Sequence, residues 1–234
     1  MRKETIVENL NGVGERIVTC CNNCARSPAE ITLLAVSKTQ PAEVLRIAYE
    51  AGQRHFGENY LQEALQKQDR LAELDICWHF IGPLQSNKTR AVAEHFQWVH
   101  SVDRLKIAQR LSRQRPDALP PLNICLQVNI DGEQSKSGIV PEALAALAQS
   151  VVQLPGLRLR GLMAIPVARR DPAQQRRPFV ELARLLQALR AQFPQTPLDT
   201  LSMGMSADME AAIACGATIV RIGTDIFGAR NYSV

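Results

Sequence analysis

The sequence lacks long apolar runs, a secretory signal and an excess of charge of one sign. No run reaches the roughly 18 apolar residues that a membrane-spanning helix needs, and residues 1–4 lead into mixed polar sequence without an apolar core. Basic and acidic residues are nearly balanced, at 27 and 23. We therefore expect a cytoplasmic protein that binds neither a membrane nor nucleic acid.

Cysteine is present, but its spacing is not typical of a metal site or a disulfide framework. Six cysteines occur in 234 residues, and only Cys21 and Cys24 have CxxC spacing. A zinc site needs further ligands, and no second CxxC or HxxxH follows. We predict incidental reduced thiols at Cys20, Cys21 and Cys24, and no metal site.

Short apolar runs recur along the chain, and each is followed by a segment with helical periodicity. This alternation indicates βαβ units and a parallel sheet. We predict a single-domain (β/α)8 TIM-type barrel over residues 1–234, with an extra N-terminal helix at about 3–25, and an open doubly wound sheet is the alternative. Helical spacing is clearest at 41–52, 141–154 and 179–193. The predicted strands are 31–37, 54–58, 78–82, 98–102, 123–130, 159–165, 200–204 and 218–223.

The first predicted strand ends in a lysine, Lys38. Active groups of such barrels gather at the carboxyl ends of the strands, yet burying an unpaired ammonium is costly. A lysine whose pKa is lowered by burial or by nearby positive charge can attack a carbonyl and form an imine. Lys38 is therefore a candidate nucleophile.

The last two predicted strands end in residues suited to a phosphate group. Ser206 precedes a predicted helix that its side chain can cap, and Gly223 and Thr224 precede a short segment, DIFG. Glycine lets the backbone approach a phosphate, hydroxyls donate to it, and N–H groups at a helix start favour an anion. Loops after strands seven and eight form the usual phosphate site of these barrels, so we predict one here.

Arg221 interrupts the apolar eighth strand and, if side chains alternate, points into the barrel. A buried guanidinium needs an acceptor, which is either an acid such as Glu58 or a ligand atom. Together with Lys38 and the phosphate site, this indicates a phosphorylated aldehyde or ketone substrate, or pyridoxal phosphate as a cofactor.

Seven segments resemble, in order, signatures of the pyridoxal phosphate homeostasis proteins, which are single-domain relatives of the barrel domain of alanine racemase. The resemblance extends from about residue 5 to Tyr232, and HFIGPLQSNK is its most specific part. The segments are LLAVSKTQP, FGENYLQE, WHFIGPLQSNK, DGEQSKSG, RGLMAIP, LSMGMSADMEAAI and VRIGTDIFGAR.

What the resemblance implies is a cofactor site. Lys38 matches the lysine that forms the internal aldimine with pyridoxal phosphate, and Arg221 matches the arginine that donates to the pyridine nitrogen. An arginine partner disfavours a protonated pyridinium and weakens the ring as an electron sink. The other matching positions are Ser206, Gly223 and Thr224 at the phosphate, Asn59 beside the cofactor and Met203 packed by the ring.

The family has no firmly established catalytic activity and helps to balance vitamin B6 vitamers. Racemases take a second base from a second domain; the sequence ends about ten residues after the eighth predicted strand, so we expect no such domain and a cofactor open to exchange. The resemblance implies a monomeric carrier that holds pyridoxal phosphate reversibly, meets other B6 vitamers and passes the cofactor to apo enzymes. A weak racemase and a cofactor-free Schiff-base aldolase are the alternatives.

Three further residues carry reactive groups without an assigned role. Lys88 and Lys136 are expected to be solvated loop cations rather than a second site for an anion or vitamer. His79 lies within the third predicted strand, and we expect a hydrogen-bonded interior histidine rather than an acid–base catalyst.

Overall fold

The computed structural model describes residues 3–133, 136–169 and 171–228. Within these ranges eight parallel strands close a barrel, each hydrogen-bonded to the next in sequence and the last to the first. The predicted parallel (β/α)8 barrel is confirmed, and the open sheet is wrong. The strands are β1 (Thr32–Val36), β2 (His55–Glu58), β3 (Cys77–Phe80), β4 (Trp98–Val102), β5 (Leu122–Gln127), β6 (Leu157–Met163), β7 (Thr200–Ser202) and β8 (Ile219–Ile222).

All eight predicted strands are present, and their bounds differ from the predicted ones by at most three residues. The largest difference is in β5, which ends at Gln127 although the apolar run continues to residue 130. Val128 makes only an isolated bridge with Ile139. The Asn129 side chain then donates to the Glu133 carbonyl at 2.7 Å, which turns the chain into a loop and ends the strand.

Helices fill the connections, as the periodicity predicts. The helix predicted at 179–193 begins earlier, at Pro172, because the Asp171 carboxylate accepts a hydrogen bond from the Gln174 N–H at 2.8 Å and proline suits the first helical position. The α-helices in the described ranges are α1 (Lys3–Asn23), α2 (Ala42–Glu50), α3 (Leu61–Arg70), α4 (Thr89–His95), α5 (Leu105–Gln114), α6 (Leu144–Val151), α7 (Pro172–Gln192), α8 (Met209–Ala214) and α9 (Thr224–Phe227).

The predicted N-terminal helix is present as α1 and lies on the outside of the barrel. Its residues Ile6, Leu10 and Val13 are buried, which is the spacing of an apolar stripe on one helix face. That stripe packs against α2, α8 and α9. α1 therefore covers the two helices that follow β7 and β8.

The barrel interior contains polar side chains at mid-height. His79, His100, Ser202 and Arg221 are all at most 4% exposed. His100 Nδ1 lies 2.8 Å from Ser202 Oγ, and because β4 and β7 are not neighbours in the barrel this contact crosses the interior. His79 Nδ1 lies 2.9 Å from His100 Nε2, so the prediction of a hydrogen-bonded interior histidine is confirmed.

The cysteines are all thiols, as predicted. Cys20 and Cys21 lie on the buried face of α1. No helix in the described part of the chain combines the length and the apolar character needed to cross a bilayer.

Candidate functional site

A cavity of about 270 Å³ opens at the carboxyl ends of the strands. Lys38 lies two residues past β1, Asn59 directly follows β2, and Gly223 directly follows β8. The barrel therefore brings residues from distant parts of the sequence to one opening. Six of the seven residues predicted to bind a cofactor line it: Lys38, Asn59, Ser206, Arg221, Gly223 and Thr224.

A buried network behind the end of β1 fixes Ser37, the residue before Lys38. Ser37, which precedes it, donates its hydroxyl to Glu58 Oε1 at 2.6 Å, and the Ser37 carbonyl accepts from Lys67 Nζ at 2.8 Å. Lys67 also pairs with Glu58 at 2.7 Å. The residue before Lys38 is thus fixed through both its side chain and its carbonyl.

Glu58 faces α3 and not the barrel interior. It lies two residues from Phe56, so the two share the outer face of β2, and its partner is Lys67 of α3. The alternative in which Arg221 pairs with Glu58 is therefore wrong. Burial raises the pKa of Glu58, and Lys67 and Ser37 act against that rise.

Arg221 points into the barrel and donates to uncharged oxygens. Its Nη1 donates to Ser202 O at 2.6 Å and to Ser202 Oγ at 2.8 Å, and its Nη2 donates to Ala164 O at 2.9 Å. Burial lowers the pKa of Arg221 to about 10, so the guanidinium stays charged at neutral pH. A guanidinium has five N–H groups, and those not used in these contacts are available to a ligand in the cavity that Arg221 lines.

Asn59 presents a buried acceptor at the cavity. Its Oδ1 has no hydrogen-bond partner among the described residues, and an unsatisfied buried atom costs about 1 to 3 kcal/mol. Gly82 packs directly on the Asn59 backbone, since a Cβ at Gly82 would lie 2.4 Å from Asn59 O. A buried acceptor without a partner, in a residue that lines a cavity, indicates a place where a bound ligand can donate.

The beginning of α9 provides backbone donors for an anion. Its first hydrogen bonds run from the Ile226 and Phe227 N–H groups to Gly223 O, at 3.0 and 2.8 Å. The N–H groups of Thr224 and Asp225 precede this ladder, and donors at a helix start favour a phosphate. A Cβ at Gly223 would lie 3.2 Å from Val36 O, so glycine allows the close approach of this turn to the end of β1.

Ser206 lies three residues before α8 and does not cap it, so the capping interpretation is wrong. The residue at the cap position is Asp208, whose Oδ1 accepts from the Met205 N–H at 2.6 Å. The Ser206 hydroxyl makes no hydrogen bond within the described ranges. Because Ser206 lines the cavity, its hydroxyl is available to an anion there.

We call Ser206 together with the turn at Gly223 and Thr224 the anion corner. Arg16 of α1 links the two segments that carry it. Its guanidinium contacts Glu210 of α8 at 2.7 Å, Asp225 of α9 at 2.6 Å and the Ser206 carbonyl at 3.2 Å. Ser206 and Glu210 follow β7 and Asp225 follows β8, so Arg16 ties together the chain segments after these two strands. The sequence reasoning missed Arg16, which is one of several charged residues on an amphipathic helix and has no local signal of its own.

Met203 is the one predicted site residue that does not line the cavity. Ser202 points inward, and alternation along the chain directs Met203 to the opposite face. Its side chain is fully buried in the apolar core. Met205, two residues on, lines the cavity instead.

A second cavity of about 280 Å³ adjoins the first and shares Asn59, Ile81 and Ile165 with it. Lys136 lines this second cavity and pairs with Glu133 at 2.8 Å, so it lies at the barrel mouth and is not simply a solvated loop cation as predicted. Lys88 lines neither cavity. Residues 134 and 135 of the same loop lie outside the described residues.

The groups around the first cavity fit a phosphorylated aldehyde with a heteroaromatic ring. The Lys38 amine, the hydroxyls of Ser206 and Thr224 and the guanidinium of Arg221 all line this one cavity. Among the described residues that line it, Lys38 and Arg221 are the only ionisable ones. Pyridoxal phosphate needs these three partners: an amine, an anion site and a donor for its ring nitrogen.

Comparison with known proteins finds matches over nearly the whole chain. Residues 21–231 match the family model of the alanine racemase N-terminal domain. A pyridoxal phosphate homeostasis protein of Pseudomonas aeruginosa is 63% identical over 228 residues, which cover 97% of each chain. A protein of the same name from Escherichia coli is 55% identical over 231 residues, which cover 97% of this chain and 98% of that one.

Solved structures agree with these matches. PipY of Synechococcus elongatus, determined with pyridoxal phosphate bound, is 41% identical and superimposes with a TM-score of 0.84 over 95% of this chain and 100% of its own. The alanine racemase of Corynebacterium glutamicum is 15% identical, with a TM-score of 0.73 over 97% of this chain and 62% of that one. The second likeness concerns the fold alone.

Proposed function

This chain belongs to the pyridoxal phosphate homeostasis proteins, and we propose that it binds pyridoxal 5'-phosphate and buffers the supply of that cofactor. The observation that carries the proposal is the meeting of Lys38, Arg221 and the Thr224 turn around one cavity. The names of the curated relatives and the pyridoxal phosphate complex of PipY support the same role here.

We assign Lys38 to the aldehyde group of the cofactor. Lys38 Nζ attacks the aldehyde carbon, a water molecule leaves, and a Schiff base forms that hydrolysis or a competing amine can reverse. The network of Ser37, Glu58 and Lys67 supports this assignment, because it fixes the backbone from which the Lys38 side chain extends.

The remaining predicted residues hold the phosphate and the ring. Ser206 and Thr224 donate to the phosphate from their hydroxyls, and the turn at Gly223 adds backbone N–H groups. Arg221 donates to the pyridine nitrogen, while Asn59 lies beside the ring. Met203 is left out of this assignment because it lies in the core.

We propose further that the protein carries the cofactor without catalytic turnover. Racemisation needs an acid–base group on each face of the reacting carbon, and among the described residues that line the cavity the ionisable side chains are Lys38 and Arg221, of which Arg221 keeps its proton at neutral pH. Ile165 and Met205 at the rim are 40% and 37% exposed, which leaves an approach for amines. A weak racemase is the second candidate, and it is favoured by Lys136 in the adjoining cavity.

Absorbance and borohydride trapping test the binding proposal. The purified wild type, incubated with pyridoxal phosphate and freed of excess, should show the yellow band of a Schiff base, and borohydride reduction should label Lys38 in peptide mass spectra. Lys38→Ala should lose the label, whereas Lys88→Ala is the matched control and should keep it. A wild type that stays colourless would rule out both the carrier and the racemase, since each needs bound pyridoxal phosphate, and would leave the Schiff-base aldolase.

Exchange of the alpha proton of amino acids in deuterated water separates the carrier from the racemase. The loaded wild type should show no steady exchange above that of free pyridoxal phosphate. Steady exchange that Lys38→Ala or Lys136→Ala abolishes would contradict the carrier proposal and support the second candidate.

We also propose a cytoplasmic monomer with a single barrel domain over residues 1–234, which meets other B6 vitamers and loads apo enzymes. Light scattering of the loaded protein should give the mass of one 25.9 kDa chain. Mixing it with an apo form of a pyridoxal phosphate enzyme should restore activity faster than the spontaneous loss of cofactor from the carrier allows. Restoration at only that spontaneous rate would argue against direct delivery.

A further inference from the structure

Two histidines and a cysteine cluster at the amino-terminal end of the barrel, opposite the cavity. His55 and Cys77 are the first residues of β2 and β3 and stand beside each other in the sheet. His79 follows Cys77 by two residues, so both side chains take the same face of β3. One ligand atom from each of the three lies within 4.8 Å of the others.

The separations within this cluster resemble those between ligands of one metal ion. His55 Nδ1 lies 3.0 Å from His79 Nε2, and Cys77 Sγ lies 3.4 Å from the same nitrogen. Zinc bonds of about 2.0 Å to nitrogen and about 2.3 Å to sulfur place tetrahedral ligands about 3.3 Å (N to N) and about 3.5 Å (N to S) apart. Both separations from His79 Nε2 are within a few tenths of an ångström of these values, and the His55 and Cys77 ligand atoms lie within 4.8 Å of each other.

Both imidazoles are neutral, as metal ligands must be. Burial lowers the pKa of His55, and burial together with His100 and His55 lowers the pKa of His79 well below its usual value. Burial raises the pKa of the Cys77 thiol to about 12, so the sulfur keeps its proton until an ion displaces it. Binding replaces the S–H bond with a metal–sulfur bond and releases that proton to solvent.

A second layer of residues orients His79. Its Nδ1 lies 2.9 Å from His100 Nε2, and His100 Nδ1 lies 2.8 Å from Ser202 Oγ. The Trp98 ring stacks on the His79 ring, with centroids 5.4 Å apart and planes 8° from parallel. Metal-bound histidines use their other ring N–H in this way, and a bound ion would replace the present contacts of His79 Nε2 with His55 Nδ1 and Cys77 Sγ.

We propose that His55 Nδ1, Cys77 Sγ and His79 Nε2 bind one zinc ion, with water as the fourth ligand. Two imidazoles and a thiolate are the ligand set that a borderline-soft ion such as zinc prefers. His55 and Cys77 are only partly buried, and Trp98 borders a cavity of about 410 Å³ at this end of the barrel, so solvent reaches the site. The site does not depend on the proposed function.

Cobalt(II) titration of four purified proteins tests the site. These are the full-length wild type and its Cys77→Ser, His55→Gln and Cys24→Ser variants, each recorded as a difference spectrum before and after Co²⁺, with Zn²⁺ then added to displace the cobalt. Cys24→Ser is the matched control, because Cys24 is also partly buried and belongs to the CxxC segment. Far-UV circular dichroism verifies that each variant is folded.

The wild type and the control should bind one ion per chain with a sulfur-to-cobalt charge-transfer band. Cys77→Ser should lose this band, and both site variants should weaken zinc binding at least about 100-fold, beyond the 10- to 100-fold that loss of an outer partner costs. Full binding by Cys77→Ser, or no stoichiometric binding by the wild type, would overturn the proposal. Loss of binding in Cys24→Ser would place the metal on the thiols of α1 and overturn it equally.

X-ray absorption at the zinc edge of the loaded wild type provides a measurement that needs no variant. It should show one sulfur and three nitrogen or oxygen neighbours around each zinc ion. A zinc ion with no sulfur neighbour, or with more than one, would refute the site even if the Cys77→Ser variant fails to fold.

Discussion

Replacement of Lys67 by methionine should destabilise the protein far more than the same change at the surface. The Lys67 and Glu58 side chains are 5% and 0% exposed in their 2.7 Å ion pair, so loss of the ammonium leaves a buried carboxylate without a counter-charge. Breaking such a pair costs about 3 to 5 kcal/mol, or about 6 to 20 °C in Tm for a chain of this size. In the matched control, Lys3→Met, the pair with Glu50 has the same 2.7 Å distance but side chains 60% and 50% exposed, and the loss of stability should be much smaller because water screens the pair.

The deficit of Lys67→Met should also depend on pH. Burial already raises the pKa of Glu58 against the effect of Lys67, and removal of Lys67 raises it further. A carboxyl group whose pKa is higher in the folded state binds more protons there than in the unfolded chain, so its contribution to stability is greatest at low pH and is lost as the pH rises through the folded pKa. The variant should therefore recover part of its deficit as the pH is lowered from about 7 towards about 5.

Urea unfolding of the wild type, Lys67→Met, Glu58→Gln and the double variant measures the coupling of the pair. The double variant should recover most of the stability, because no buried charge remains. A deficit below about 1 kcal/mol for Lys67→Met, or a double variant no more stable than Lys67→Met, would refute the reasoning. Retention of pyridoxal phosphate should fall in Lys67→Met and in the double variant, since the Ser37 carbonyl loses its Lys67 donor in each.

Three further predictions concern the anion corner and the barrel interior. Thr224→Val should weaken pyridoxal phosphate binding by about 1 to 2 kcal/mol, or about 5- to 30-fold, while Thr224→Ser keeps wild-type affinity; equal dissociation constants would contradict the phosphate role. Arg16→Gln should raise the dissociation constant by up to about 5-fold through loss of two partly exposed ion pairs, and no change at low salt would show that the link is not needed. Burial lowers the pKa of His100 to about 3, so below about pH 6.5 the unfolded chain binds a proton at this residue that the folded protein does not bind, and the free energy of unfolding should fall by up to about 1.4 kcal/mol per pH unit. Urea unfolding between pH 7 and 5 should show a weaker pH dependence of this free energy for His100→Gln than for the wild type. An equal pH dependence in the two proteins would refute this prediction.

The strands and the site positions could be predicted from local sequence. Strands covered on both faces are continuous apolar runs, so each one stands out against the helical segments between them. Lys38, Asn59 and Thr224 follow such runs directly, and the barrel fold alone brings them to one end. Arg221 was recognisable because a charge within an apolar run has to find partners in the interior.

Partners across the fold could not be predicted in this way. A pair of Glu58 with Arg221 was one of two alternatives, but alternation along β2 directs Glu58 to the outer face of the strand, where it pairs with Lys67. Met203 was placed beside the ring by the resemblance to the family, but a one-residue step along an extended chain reverses the face, and its side chain lies in the core. The contacts of Arg16 with Glu210 and Asp225 depend on how α1 packs against α8 and α9, and no local pattern encodes that packing.

The contacts of His55, His79, His100 and Ser202 form one continuous hydrogen-bonded row across the barrel interior. Its successive contacts measure 3.0, 2.9 and 2.8 Å. In a neutral imidazole one ring nitrogen donates and the other accepts, so every hydrogen bond of the row can be made with all donors pointing towards Ser202 or with all donors pointing towards His55. A change from one direction to the other takes up a proton at one end of the row and releases one at the other, without moving a heavy atom. Ser202 accepts from Arg221 at 2.8 Å, so the row extends from the amino-terminal end of the barrel to a residue that lines the first cavity. A zinc ion on His79 Nε2 would break the contact with His55 and would fix the direction in which the remaining hydrogen bonds of the row are donated.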